Sequence, residues 1–511
     1  MLRIAKTENG ILRGLPAADP RVTSFKGIPF AAPPTGQNRW RAPQPCADWD
    51  GVRDAFEFAP ISVQDTPGLG TDIYCREWHV DPEIPMSEDC LYLNVWTPAK
   101  SADERLPVLV WFFGGGFQWG YTAEMEFDGE RIARRGVVVV SVNYRLAALG
   151  FLAHPEITAS QPDAPANFGS LDQQAGLRWT IRNITAFGGD PSNITIAGQS
   201  AGGMSVMSQM ACEANNGLFQ RAVVMSGMFR SPYMKDPFVI PKKLSETERA
   251  GVEFFEFLGV RSLSEARGLD AFFIRDRYAE YAKTHPRFAI VVDGRFCVED
   301  PYIAFINGRC VRVPVLSGNT ADEFLGSIDA KNEGQRNARA IEIFGDKAGE
   351  FLSFIEASAR TDQGYAAVSG IECAVKAAFL SEDKRKDSKP CYYYRFSPGI
   401  PGDDQPGTFH SVDLWYFFET LSKSTRPYRG KHYDLARQMC DYWANFIKTG
   451  DPNGTTDDGS ALPVWVPFTA KTSAEMVFND NGSVPSAGTA PFIRFLTEHI
   501  YNENMGEDIC S

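Results

Sequence analysis

Uninterrupted apolar runs alternate, through the middle of this chain, with stretches whose apolar residues recur at helical spacing. Leu106–Phe113 (LPVLVWFF), Gly136–Val142 (GVVVVSV) and Asn193–Gly198 (NITIAG) read as strands buried on both faces. A helical stretch around Leu171–Asn183 lies between the second and third, and another begins at Ala201. Such alternation predicts an α/β fold with a large, mostly parallel central sheet flanked by helices. Residues about 229–309 and about 329–389 are richer in charge and helical periodicity, and read as helical insertions that roof a pocket beyond the carboxyl ends of the strands. With no repeat and no long linker, residues 1–511 read as a single domain.

No apolar run approaches the roughly 18 to 20 residues of a membrane-spanning helix. The opening MLRIAKTENGILRG lacks an apolar signal core and reads as a strand and hairpin, so the expected location is cytoplasmic. The 43% hydrophobic content is ample for a large core, and a formal net charge of -13 turns away nucleic acid and anionic membrane as partners. The expected partner is a small molecule, and the expected state a monomer or dimer. Ten cysteines without CxxC pairs give no zinc pattern, so no metal is expected.

Chemistry concentrates in FGGDPSNITIAGQSAGG, residues 187–203, where a strand runs into Gly198-Gln199-Ser200-Ala201-Gly202 and then into a helix. The bare GxSxG pattern arises by chance in roughly one chain in three of this length; the strand before it and the helix after it supply the specificity. Small flanking residues let Ser200 project as a nucleophile from a sharp turn.

A serine hydroxyl needs a base, and in α/β-hydrolases the chain order is serine, acid, histidine. Of six histidines, His410, His432 and His499 follow far enough behind Ser200. His410, in GTFHSVDLWYFF, is the best placed; His432 and His499 read as solvated. The acid should end a strand before it, and VRVPVLSGNTADEFLG offers adjacent Asp322 and Glu323, between which position alone does not choose. Gly115 and Gly116, after the strand LPVLVWF, could join the N–H of Ala201 in an oxyanion hole.

Seven blocks resemble the type B carboxylesterases, the family of cholinesterases and para-nitrobenzyl esterases: FKGIPFAAPPTGQNRW, SEDCLYLNVWTP, WFFGGGF, NYRLAALGFL, NFGSLDQQAGLRW, FGGDPSNITIAGQSAGG and GTFHSVDLWYFF. The resemblance implies a catalytic triad of Ser200, Glu323 and His410, oxyanion donors at Gly115, Gly116 and Ala201, and supporting roles for Gln199 and Ser226. It also implies structural ion pairs of Arg39 with Glu88 and Arg145 with Asp172, and no cofactor.

The chain departs from the family pattern in ways that matter chemically. Phe113 stands where a histidine usually precedes the three glycines, so the glycine loop must be held some other way. Phe324 follows the acid where glycine is common, and Gln199 replaces a frequent glutamate, removing a negative charge. Val80 stands at the position of the choline-binding tryptophan, so acetylcholine is not the expected substrate. Cys75 could bridge to Cys90, although free thiols are the expected state. Phe117, Trp119, Phe229, Tyr233, Trp415 and Tyr416, aromatics beside the motifs, are candidate pocket walls. The expected reaction is hydrolysis of neutral esters with short to medium acyl chains, or aromatic ones, through an acyl-enzyme. A non-catalytic interaction protein would have lost a triad member, and an interfacial lipase would want a large apolar lid.

Overall fold

The computed structural model describes residues 1–233, 240–324, 326–355, 368–456 and 459–505. In chain order its strands are β1 (Ile4–Lys6), β2 (Ile11–Arg13), β3 (Leu15–Pro16), β4 (Thr23–Pro29), β5 (Val52–Asp54), β6 (Tyr92–Thr97), β7 (Leu106–Phe112) and β8 (Val138–Val142). They continue with β9 (Gly189–Gln199), β10 (Arg221–Met225), β11 (Lys242–Lys243), β12 (Val291–Val292), β13 (Val315–Thr320), β14 (Cys391–Phe396), β15 (Glu475–Asn479) and β16 (Gly482–Ser486). An 11-stranded sheet runs in the order β16-β15-β14-β13-β10-β9-β7-β8-β6-β4-β3. From β15 to β8 every pairing is parallel, while β16 at one edge and β6, β4 and β3 at the other run antiparallel to their neighbours.

Side-chain alternation along the parallel strands divides the core in two. Val108, Val110 and Phe112 face one layer with Ile194, Ile196 and Val224, and Leu109, Trp111 and Phe113 face the other with Ala197, Val223 and Met225. The first layer is covered by the helices Phe168–Asn183, Ala201–Ala211 and Gly370–Asp383, the second by the long helix Gly430–Thr449. Burial on both faces is why these strands read as continuous apolar runs.

Both stretches read as insertions are helical, but the last helix of each belongs to the scaffold. Pro301–Ile306 packs on Ala201–Ala211, and Gly370–Asp383 lies on β13 and β14. Helical periodicity reports an apolar face without saying what covers it, so the insertions are narrower than the sequence suggested. Residues 234–239 and 356–367 of these stretches lie outside the described residues. The helices Leu244–Leu258 and Ala271–Tyr281 pack on each other, and the second on Ala147–Phe151. Asp270 caps that second helix by accepting from the N–H groups of Phe272 and Phe273. No helix among the described residues is long and apolar enough to cross a membrane.

Candidate active site

β9 ends at Gln199, and Ser200 follows at φ 57, ψ -124 before the helix Ala201–Ala211. A side chain rarely takes that backbone conformation, and it persists only where its surroundings over-determine it. The Ser200 N–H donates to Met225 O at 2.9 Å. A Cβ on Gly202 would stand 2.0 Å from the carbonyl oxygen of Phe112, so the helix can approach the sheet only with glycine there. Phe117, Ser226 and Ser411, all beside the site residues in sequence, also have positive φ.

β13 delivers the two carboxylates, and an isolated parallel bridge pairs Asp322 with Phe409. This bridge sets the register that brings the next residues, Glu323 and His410, together. Glu323 Oε2 accepts from His410 Nδ1 at 2.5 Å, and its Oε1 accepts from Ser226 Oγ (2.5 Å), Thr320 N (3.1 Å) and Thr320 Oγ1 (3.0 Å). Asp322 points the other way and accepts from Thr408 N at 2.6 Å, clasping the histidine loop. The two carboxylates thus point apart, Glu323 to His410 and Asp322 to Thr408, as extended backbone sends successive side chains to opposite faces.

Burial opposes ionisation of Glu323. The charge of His410 and the donors around both oxygens outweigh it and hold the carboxyl below its ordinary value. Nearby Asp413 goes the opposite way. Its Oδ2 accepts from Tyr394 Oη at 2.7 Å and its Oδ1 has no hydrogen-bond partner among the described residues. Burial, reinforced by repulsion from Glu323, pushes its pKa up to about 7 despite the Tyr394 hydrogen bond and the attraction of His410. Sequence reasoning missed Asp413; its only signal is a carboxylate three residues after His410.

No hydrogen bond joins Ser200 Oγ to His410 among the described residues. The Nε2 of His410 instead meets the side-chain amide of Gln199 at 3.2 Å.

The glycine loop turns immediately after β7, with Gly115 at φ +99 and Gly116 at φ +61. A Cβ on Gly115 would collide with the carbonyl oxygen of Trp119 at 2.2 Å. The N–H groups of Gly115, Gly116 and Ala201 find no acceptor among the described residues, the third because it opens a helix. Phe113, in the position usually held by histidine, stacks on Tyr144 with 4.2 Å between ring centroids, and the Tyr144 hydroxyl donates to Phe113 O.

The aromatic candidates separate. Phe229 stands 6.1 Å from the His410 ring, and Trp119 passes its six-membered ring beside Gly116. Trp415 joins a cluster in which Trp78 stacks on Phe409. Phe117 instead packs on Phe151, and Tyr233 on Phe351 with its hydroxyl donating to Val368 O. Tyr416 turns into the core against Phe396 and bonds His432. His432 is therefore buried, not solvated as its charged sequence surroundings suggested, because it lies on the apolar face of Gly430–Thr449. His499 is half-buried beside Phe344. Phe324, read only as a departure from glycine, lies 4.6 Å from His410 and is exposed.

Both expected ion pairs form, Arg39 with Glu88 and Arg145 with Asp172, each through two hydrogen bonds. Cys75 and Cys90 are free thiols.

With this geometry in view, the family model described as Carboxylesterase family matches residues 2–496. The fumonisin B1 esterase of Sphingopyxis macrogoltabida is 32% identical, over 89% of this chain and 83% of that protein. The cholinesterase of Mus musculus is 30% identical, over 96% of this chain and 86% of its own. The solved structure of a PNB esterase superposes with a TM-score of 0.79 at 26% identity, covering 97% of this chain and 99% of that one.

Proposed function

We infer the mechanism from the premise that this chain belongs to the carboxylesterase family, as a serine carboxylic ester hydrolase of the α/β-hydrolase fold. Ser200 is the nucleophile, His410 the general base and acid, and Glu323 the group that orients the imidazole and balances its charge. The observation that carries this reading is the buried Glu323–His410 contact, in register with a serine held on a strained strand-to-helix turn.

In this mechanism His410 Nε2 leaves the Gln199 amide and takes the Ser200 proton as Oγ attacks the ester carbonyl. Catalytic hydrogen bonds commonly tighten only when substrate is bound. The oxyanion is received by the N–H groups of Gly115, Gly116 and Ala201, which have no acceptor among the described residues. Collapse breaks the carbon–oxygen bond to the alcohol, which leaves with the proton from His410. Water activated by the same nitrogen then hydrolyses the acyl-enzyme.

Phe229, Phe324 and Trp119 near these groups support neutral esters with short to medium acyl chains, or aromatic ones, as substrates. Val80 is exposed and Trp78 is buried under Phe409, which leaves no indole face for a quaternary ammonium at that position.

The test is hydrolysis of p-nitrophenyl acetate, butyrate and palmitate by the wild type and by Ser200→Ala. Turnover of the two short esters, abolished by the substitution, is expected. A folded wild type inactive on all three would overturn the reading.

A further inference from the structure

The loop Gly114–Gly116 has no side chains of its own with which to hold a shape, and the histidine that usually precedes it is absent. Its neighbour Gln118 is only 5% exposed and uses both ends of its amide. The Nε2 donates to Gly116 O at 3.2 Å and to Phe288 O at 2.8 Å, and the Oε1 accepts from Tyr278 Oη at 2.9 Å. Tyr278 Oη in turn accepts from the N–H of Phe288 at 2.9 Å, and the two rings stack with centroids 5.6 Å apart. Tyr278 belongs to the helix Ala271–Tyr281 of the first insertion. One buried amide therefore ties the glycine turn to the helix Ala271–Tyr281 and to Phe288.

The backbone geometry gives this tie a chemical meaning. In a planar trans peptide the C=O and the N–H point in opposite directions, so fixing one aims the other. Gly115 O accepts from the N–H groups of Gln118 (2.9 Å) and Trp119 (3.0 Å), which directs the N–H of Gly116 away from the turn. The Gln118 side chain pins the next carbonyl, Gly116 O, closing the turn on its other side.

We propose that Gln118 is a positioning residue for the oxyanion donors, and that through it Tyr278 and Phe288 of the insertion fix the Gly116–Phe117 peptide and so hold, from its far side, the turn that presents the Gly116 N–H. The inference rests on the assignment of Gly115 and Gly116 as donors made under the proposed function. The side-chain hydrogen bonds of Gln118 go to Gly116, Phe288 and Tyr278 and not to Ser200, Glu323 or His410; it acts by holding the turn. Donors aimed at a developing charge stabilise the transition state more than the ground state, so loosening them lowers kcat and leaves KM nearly unchanged.

The experiment compares Gln118→Met, which keeps the length of the side chain without its hydrogen bonds, with Tyr278→Phe, which deletes one hydroxyl. Each is assayed on p-nitrophenyl butyrate, with kcat expressed per site titrated by the p-nitrophenol burst. Affinity for a trifluoromethyl ketone, whose hemiketal oxyanion needs the same donors, is measured beside affinity for the product alcohol. For Gln118→Met we expect kcat to fall about 10- to 100-fold and trifluoromethyl ketone binding to weaken in parallel, with KM and alcohol binding within about 3-fold. For Tyr278→Phe the same pattern is expected at about 3- to 10-fold.

A purely structural role would lower the number of titrated sites or the melting temperature while kcat per site stayed at the wild-type value. That result, in both variants, would overturn the proposal. Because wild type and Ser200→Ala are assayed alongside, failure of the esterase reading shows as an inactive wild type or an active Ser200→Ala. Failure of the Gln118 proposal alone leaves those two controls as expected.

Discussion

The two halves of the candidate site are built from different materials. The acid–base half, Glu323 with His410, is made of buried charged and polar side chains, and both oxygens of its carboxylate carry hydrogen bonds. The proposed nucleophile–oxyanion half is made of backbone: a serine at positive φ, two glycines at positive φ, and three N–H groups without acceptors among the described residues. The first half holds its geometry by saturating every polar atom that faces inward. The second is poised because its donors are left open, and its shape is imposed from outside by Met225, Trp119 and Gln118. Substitutions in the first half should therefore act through charge and proton transfer, and those in the second through backbone shape.

The largest expected effect comes from breaking the charged half. Glu323→Gln keeps the volume but loses the charge and the preferred tautomer of His410, and kcat should fall by roughly 10³- to 10⁴-fold with the fold retained by circular dichroism. Its neighbour provides the contrast: Asp322→Asn should cost less than about 10-fold, since among the described residues the Asp322 side chain holds only the backbone of Thr408. Equal losses in the two variants would erase the directional assignment.

Next in size is Gly115→Ala, whose methyl group meets Trp119 O. A loss of about 10²- to 10³-fold in kcat is expected, accompanied by a lower melting temperature, the mark of a defect in shape. Ser226→Ala follows. It strips one donor from Glu323 Oε1 and should reduce stability at neutral pH by about 1 to 3 kcal/mol in urea titrations.

Glu323 and Asp413 carry opposite signs in their pH dependence. Glu323 is lowered on folding, so its contribution is present above the ordinary carboxylate range and is lost as pH falls through its folded value. Asp413 is raised to about 7, so folding is most favourable for this group below about pH 4 and becomes less so as pH rises to 7. Asp413→Asn keeps an acceptor for Tyr394, and should become more stable relative to wild type between pH 5 and pH 8, by on the order of 2 kcal/mol. A pH-independent difference would show that Asp413 is already ionised in the folded protein.

The sequence made these two halves legible to different degrees. The parallel centre of the sheet was readable because strands buried on both faces are continuous apolar runs, and the nucleophile turn because its glycines are steric necessities. The choice between Asp322 and Glu323 was not readable from position, because it depends on the pairing of Asp322 with Phe409 across 87 residues. Only the family resemblance pointed to Glu323. The grip on the glycine loop was foreseen as a need left by Phe113, but Gln118 was not, since its partners Tyr278 and Phe288 lie far along the chain. Tyr233 and Tyr416 were read as pocket walls by their nearness to motifs, yet both turn away, because adjacency in sequence does not fix which way a side chain points.

The backbone at Ser200 also bears on how such a chain drifts. Its φ of 57 and ψ of -124 suit glycine and burden any residue with a Cβ, by about 1 to 3 kcal/mol. A replacement by glycine there should make the protein more robust and silent at once. On the proposed mechanism, relaxed selection would thus meet a downhill route out of catalysis at the codon for residue 200 itself.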